Sequence, residues 1–281
     1  MITNWIYKLF EKQRLINFSK RIPSKINILG MLRIRNEELI IEDTLNHLST
    51  FCDAIVCFDD NSTDNTYSII SKHSHVIAII RNFNWLSGVQ DRLESETSHR
   101  ADLLKLSKTF NPRWIFCADA DERYIGDIKG FTNSEDSENL DIIRISLFDA
   151  YMTKDDSKPY SQGTPLLNFR THFGPERRDI VMLWRNNEFN LEYIGLDSRE
   201  PKFQGDLRLD TRFFCQHYGK SLSVDHWEST CTYYVNHFPY ESYGKKWEER
   251  RGKALHTESD FGRELYTWGQ QLFDNSIKIY P

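Results

Sequence analysis

Between residues 26 and 118 the chain alternates short apolar blocks with amphipathic polar stretches. Residues 26–34 (INILGMLRI) are nearly all apolar, the pattern of a strand buried on both faces. Glu37 and Glu38 then open a helix that keeps Ile41, Leu45 and Leu48 on one side. Residues 54–58 (AIVCF) form the next strand, stopped by Asp59, Asp60, Asn61 and Ser62, and Ser62 and Asp64 are suited to cap a helix over 66–72. A third strand covers 76–80 (VIAII), a long helix 92–110, and a fourth strand 114–118 (WIFCA), which runs into Asp119. Four strands with helices between them predict an α/β fold: a mainly parallel, Rossmann-like sheet with helices on both faces and right-handed crossovers. Ligands of such sheets bind beyond the carboxyl ends of the strands. Those ends carry Asp59-Asp60 and Asp119-Ala120-Asp121-Glu122.

The flanks differ. Upstream, Ile2, Trp5, Ile6, Leu9, Phe10 and Ile16 recur at spacings of three and four, with Lys8, Glu11, Lys12 and Arg14 opposite them. That predicts a basic amphipathic helix, ended near Pro23, which either packs its apolar face on the domain or lies on an anionic membrane surface. Downstream of about residue 125 the alternation weakens. Strands are expected over 142–148, 166–170 and 180–184, separated by polar loops, and the last 60 residues read as helical and rich in Trp and Tyr. With no internal repeat and no low-complexity linker, one domain is the economical organisation.

Composition narrows the function. With 281 residues, 39% hydrophobic and 14% aromatic, the chain has ample material for a core, which excludes disorder and disulfide-stapled miniproteins. The net charge of -5 is unevenly placed: the first 25 residues hold six cations against one acid, leaving -10 for the other 256. An acidic body argues against nucleic-acid binding. Five cysteines without a Cys-x-x-Cys pair sit among apolar neighbours, as buried thiols of a reducing compartment do. The longest charge-free stretch, 229–240, has 12 residues, against the roughly 18 to 20 a spanning helix needs. A cytoplasmic protein is expected, with peripheral contact to the inner face of the membrane left to residues 1–22.

The strand ends carry the candidate chemistry. Asp119 and Asp121, two residues apart after a buried strand, can be turned by a loop toward one cation, and carboxylate oxygens suit Mg2+ or Mn2+ bridging nucleotide phosphates. An aspartate of the pair Asp59-Asp60 facing the crevice suits the N3–H of a uracil or a ribose hydroxyl. At the end of the first strand, Arg33 and Arg35, followed by Asn36, would meet diphosphate charge.

These pieces, RIRNEE (33–38), AIVCFDDNSTDNT (54–66) and WIFCADADE (114–122), occur in an order and spacing that resembles the family-2 glycosyltransferases of the GT-A fold. The resemblance covers residues 26–125. It implies a nucleotide-sugar-binding half over 26–125, an acceptor and catalytic half over 126–220, and a helical C-terminal extension over 221–281. It further implies that Asp60 contacts the donor base with Asp59 beside it, that Arg100 meets the nucleotide phosphates, that Asp121 is a direct metal ligand and that Asp119 contacts ribose or metal. A late histidine that reaches the metal is common in the family, and the segment FFCQHYG (213–219) offers His217, with His226 and His237 as weaker candidates.

The implied activity is metal-dependent, inverting transfer of a sugar from a nucleotide sugar, a UDP-sugar foremost, to a hydroxyl of a glycan or glycolipid. By analogy it would serve lipopolysaccharide or capsule assembly. Inversion needs a general base; Glu200, in the loop before the His217 strand, leads, with Asp197 and Glu176 next, although Glu176 and Asp179 are also placed to pair with Arg177 and Arg178. Two rivals stand beside this. A nucleotidyltransferase would show a Gly-rich loop after the first strand, where this chain has Arg33-Ile34-Arg35-Asn36, and a non-catalytic carbohydrate- or membrane-binding protein would not need intact acids at both strand ends.

Overall fold

The computed structural model describes residues 14–19, 21–186 and 191–280. The chain runs β1 (Arg14–Phe18), β2 (Ile28–Ile34), α1 (Ile41–Leu48), β3 (Ala54–Asp60), α2 (Thr66–Lys72), β4 (Val76–Asn82), α3 (Val89–Thr109), β5 (Trp114–Ala118) and β6 (Glu122–Ile125). It continues through α4 (Ile128–Asn133), a 3-10 turn (Glu135–Asn139), β7 (Ile142–Tyr151), β8 (His172–Arg185), β9 (Leu191–Glu192), β10 (Lys202–Phe203) and β11 (Leu209–His217). The remainder is α5 (Val224–His237), a π-helical turn (Tyr240–Gly244), α6 (Lys245–Glu249), β12 (Tyr266–Thr267), α7 (Gln270–Asp274) and β13 (Ile277–Lys278).

One large sheet has the order β1-β4-β3-β2-β5-β8-β7-β11-β6, with β12 and β13 added along β8. The run β4-β3-β2-β5 is parallel throughout. Its strands are buried on both faces because alternate residues feed two cores. Ile28, Leu32 and Ile34 of β2 and Trp114 and Phe116 of β5 join Ile41, Leu45 and Leu48 of α1 in one core. Leu29 and Met31 with Ile115 and Cys117 join Leu103, Leu104 and Leu106 of α3 in the other. Helices therefore cover both faces, as the apolar runs predict. Each large aliphatic side chain so buried stabilises the fold by about 1.5–3 kcal/mol.

β8 is the hinge between the halves. Its last residues pair antiparallel with β5, while its length pairs antiparallel with β7. Beyond β7, β11 runs parallel to β7 and antiparallel to β6.

Several elements depart from expectation. Arg14–Phe18 is an edge strand antiparallel to β4, and Arg14 pairs with Asp102 of α3, so the basic helix does not extend to Ile16; its part over residues 1–13 lies outside the described residues. Residues 166–170 are a turn: Leu166 is fully buried with its N–H on Asp43 Oδ2, and Asn168 takes a left-handed conformation (φ 60°) that a strand does not allow. Gly174–Asp179, read as a loop, lies inside β8. The C-terminal 60 residues are helical only in part, since residues 250–265 form turns and β12 and β13 return to the sheet. All five cysteines are buried and unpaired. No helix among the described residues is long and apolar enough to cross a membrane.

Candidate functional site

The carboxyl ends of β2, β3 and β5 open on one side of the sheet, and the first half of α3 lies over them. This helix is weakly amphipathic by sequence because its inner face there is polar: Arg92, Thr97, His99 and Arg100 are all buried. Thr97 accepts from Ser198 N–H at 3.0 Å, and the other three have strand-end partners. Arg92 Nη2 stands 3.0 Å from Asp60 Oδ2, and Arg33 Nη2 stands 3.4 Å from the same oxygen. Asn82 donates to Asp60 Oδ1 at 2.8 Å. His99 stacks on Phe58 at 3.9 Å and accepts from Arg33 Nε, and burial together with the surrounding arginines holds it neutral, well below the usual imidazole range. Arg100 reaches both oxygens of Asp119, at 2.9 and 3.2 Å, and also Glu96 at 2.9 Å.

Beside this stands Arg199, from the loop between β9 and β10. Its Nε lies 2.8 Å from Asp119 Oδ2 and its Nη2 2.9 Å from Glu122 Oε2. Burial pushes the Asp119 carboxyl up, but Arg199 and Arg100 outweigh it and hold the group down at about 2. The result is an arginine-lined crevice. Within it Arg92 Nε and Arg100 Nε are buried without a hydrogen-bond partner among the described residues, as are Asp59 Oδ2, which is 3.5 Å from Arg81 Nε, and Trp85 Nε1. Burial raises the Asp59 carboxyl. Arg35 stacks over Trp85 at 4.1 Å and donates to the Asp60 and Asn61 carbonyls, both at 2.7 Å.

The loops are locked to one another. Asn36 (φ 53°) donates its N–H to Ser62 Oγ and accepts from Thr63 N–H, so Ser62 ties β2 to β3 instead of capping α2, whose first turn is served by Asp64 accepting from Thr66 N–H.

A second group forms past the end of β5, where β6 and β11 meet. His217 Nε2 lies 3.2 Å from Asp121 Oδ2, and His217 Nδ1 lies 2.6 Å from Asp149 Oδ1 at the end of β7. Despite burial, the two carboxylates raise the imidazole to about 10. Tyr218 N–H binds the Asp121 carbonyl, and a Cβ on Gly219 would stand 2.6 Å from Asp121 Oδ2 and 2.9 Å from His217 Nε2, so only glycine leaves this pair room. Glu37, at the mouth of β2, is pushed well above the usual carboxyl range by burial, with Asp121 and Asp119 adding to it. His226 is lowered by burial, has Asp121 as its charged neighbour, and buries Nδ1 without a hydrogen-bond partner among the described residues.

α5 and the π-turn roof the crevice. His237 Nδ1 lies 2.9 Å from the Ser87 carbonyl, Trp85 meets the His237 ring at 5.1 Å, and Tyr243 OH donates to Asp197. Tyr234 faces Glu96, Asp121 and Asp197 from above.

Of the residues singled out from sequence, Arg33, Asp59, Asp60, Arg100 and Asp119 come together in the crevice, Asn36 stands on its rim, and Asp121 and His217 form a pair. Asp119 is separate from that pair, held by two arginines. Among the described residues no group of three or more His, Cys, Asp or Glu is arranged to hold a metal ion. The pair has the chemistry of an incomplete site. A carboxylate oxygen and an imidazole nitrogen 3.2 Å apart match neighbouring ligands of an octahedral ion, roughly 3 Å for bonds near 2.1 Å, and ions of this kind take remaining ligands from phosphate and water.

The candidate bases separate. Asp197 faces Glu96 and Arg100, with burial raising its carboxyl. Glu200 pairs instead with Arg144 at 3.0 Å; Arg144 is five residues from Asp149 along β7, ~16 Å at strand rise. Glu176 is buried in β8 under Ser259 Oγ and Arg263 Nη1, both at 2.8 Å. Sequence reasoning missed Arg92, Arg199 and Asp149. For the arginines no local pattern exists, whereas Asp149, a lone acid closing an apolar strand, carries the same signal as Asp119.

No family model matches the chain. Uncharacterized proteins of Mycobacterium bovis and Mycobacterium tuberculosis are each 31% identical to it over 96 residues, 34% of this chain and 23% of theirs, so the chain matches about a quarter of the length of these relatives. Among solved structures, Staphylococcus aureus TarS aligns with 79% of this chain and 42% of its own at 14% identity and a TM-score of 0.38. Glucosyl-3-phosphoglycerate synthase from Mycobacterium tuberculosis, in complex with Mn2+, UDP and glucosyl-3-phosphoglycerate, aligns over 47% and 46% at 14% identity and a TM-score of 0.28. A putative glucose-1-phosphate thymidylyltransferase from Bacillus anthracis aligns over 83% and 87% at 11% identity and a TM-score of 0.29. These scores are too low to carry functional argument, and the assignment of chemistry rests on the chain's own side chains.

Proposed function

We propose that the protein is an inverting glycosyltransferase that moves a sugar from a nucleotide sugar, a UDP-sugar foremost, to a hydroxyl of a glycan or glycolipid. The observation that carries this is the adjacency, at one edge of the sheet, of an arginine-lined crevice suited to a diphosphate and a carboxylate–imidazole pair suited to a divalent cation.

In this reading Asp59 and Asp60 receive the base, and the unpartnered guanidinium N–H groups of Arg92 and Arg100 turn to phosphate oxygens. Asp121 and His217 hold Mn2+ or Mg2+, which when bound neutralises charge on the leaving diphosphate. Glu37, raised by burial with Asp121 and Asp119 adding to it, stands beside these carboxylates as a group that favours its neutral form. Asp197, raised by burial, held by Tyr243 OH and facing Glu96 and Arg100, suits the general base that removes the acceptor's proton, in preference to Glu200, held by Arg144, and Glu176, held by Ser259 and Arg263.

The test is a donor screen that reads UDP release with and without Mn2+ across UDP-sugars. Metal-dependent UDP release is expected. Pyrophosphate release from nucleoside triphosphate and sugar phosphate would instead mark a nucleotidyltransferase, and no release under any metal would mark a binding protein.

A further inference from the structure

β7 and β11 are parallel neighbours whose register sets Asp149 opposite His217, so both side chains rise from the same face of the sheet. The contact is short and directional: His217 donates Nδ1–H to Asp149 Oδ1 at 2.6 Å. Asp149 is itself anchored. Arg178 Nη2 meets Oδ1 at 2.5 Å and Lys220 Nζ meets Oδ2 at 3.3 Å. The Lys220 ammonium is fixed in turn by Tyr151 OH at 3.0 Å and Asp260 at 2.6 Å, and Asp260 is held by Arg250 at 2.7 Å. A continuous polar chain thus runs from the C-terminal segment to one nitrogen of one imidazole.

We propose that Asp149 is a positioning residue for His217: by engaging Nδ1 it fixes the ring so that Nε2 is presented, beside Asp121, to the divalent cation. This rests on the assignment of Asp121 and His217 as ligands. The geometry leaves the ring few alternatives. Arg178 Nη2 lies 3.5 Å from Nδ1 and is only a donor, so the Asp149 carboxylate is what supplies an acceptor for Nδ1–H on this side of the ring. Without Asp149 the guanidinium would face the imidazole directly, the ring would lose its orientation, and Arg178 would lose its carboxylate partner next to the place another cation is to bind, with Lys220 left to Asp260. Carboxylates that orient metal-binding imidazoles in this way are worth about 10- to 100-fold in metal affinity.

The experiment is a Mn2+ titration of the full-length protein in the presence of UDP, with free Mn2+ read by EPR and imidazole ligation read as the 14N coupling in pulsed EPR. Wild type, His217→Ala, Asp149→Ala and Asp149→Asn are compared, with UDP affinity without metal and thermal melting measured alongside. Asp149→Ala is expected to raise the Mn2+ dissociation constant about 10- to 100-fold and to weaken the 14N coupling, with metal-free UDP affinity unchanged. Asp149→Asn, whose amide oxygen still accepts Nδ1–H, should fall between it and wild type. If Asp149→Ala does not fold, Asp149→Asn carries the comparison. A lowered melting temperature with Mn2+ affinity and 14N coupling intact, while His217→Ala loses both, would overturn the positioning role and leave the metal assignment standing. Absence of 14N coupling in wild type would remove the metal assignment and this inference with it.

Discussion

At the ends of β3 and β5, Asp60 and Asp119 each face two arginines; at the ends of β7 and β11, one imidazole stands between two carboxylates. The first arrangement is a buried cluster in which Arg92 Nε and Arg100 Nε have no hydrogen-bond partner among the described residues. The second sets one carboxylate against each ring nitrogen of a single imidazole. A nucleotide diphosphate bound with a divalent ion needs both environments within a few ångströms, and each alone would be an ordinary charge network. The contrast teaches that neither cluster is informative by its residue types alone; their adjacency across the β5–β6 loop is.

The largest effect should come from removing the cation side. Asp121→Ala is expected to lower metal-dependent turnover by about 10³-fold or more, since the ion's charge stabilisation is worth several kcal/mol, while UDP still binds weakly through the arginine crevice. Calorimetric titration with and without Mn2+ checks both; unchanged metal-dependent turnover would merge the two regions into one anion site. Next is the anion side. Arg199→Ala leaves the buried Glu122 and Asp119 short of a partner and should destabilise the fold by about 3–5 kcal/mol in urea unfolding.

A smaller effect sharpens the boundary. The Cβ introduced by Gly219→Ala meets Asp121 and His217, so Mn2+ affinity should fall about tenfold with little change in melting temperature. The last effect is the pH dependence of stability in the metal-free protein, where two histidines act in opposite senses on either side of neutrality. His47, held at about 4 by burial and Arg123, accepts from Tyr124 N–H; its neutral form is favoured, so its contribution is complete above 6.5 and is lost as pH falls toward 4. His217, raised to about 10, contributes fully below 6.5 and loses that contribution as pH rises through 10. Melting curves of His47→Gln should flatten only the acid limb and those of His217→Gln only the alkaline one.

Much of the first half was legible. The bounds of α2 and β5 follow from their apolar blocks, and Ile41, Leu45 and Leu48 are buried as their spacing requires. Asp59 and Asp60 proved to be the last residues of β3 and not a loop beyond it, because Asn82, Arg92 and Ser62 satisfy them inside the protein. The second half resisted. Gly174 and Pro175 signal a turn, yet β8 runs through both, anchored on β7 and the returning β12 and β13. Glu200 is expected as the base from its place in a loop before the His217 strand; in the structure it pairs with Arg144, and its neighbour Arg199 pairs with Asp119 and Glu122.

The sequence by itself determined where strands end in acids, because a run of apolar residues buried on both faces must stop where charge begins, and that rule is local. It also determined that α1 exists, from apolar residues spaced to bury one face, and that α2 exists, from the capping residues ahead of it. Only the tertiary structure decided which cations those acids meet, which of Asp197, Glu200 and Glu176 faces the crevice, and that Asp149 stands behind His217. Those choices depend on the pairing of strands and loops tens of residues apart, and a charged side chain in an isolated segment carries no mark of its distant partner.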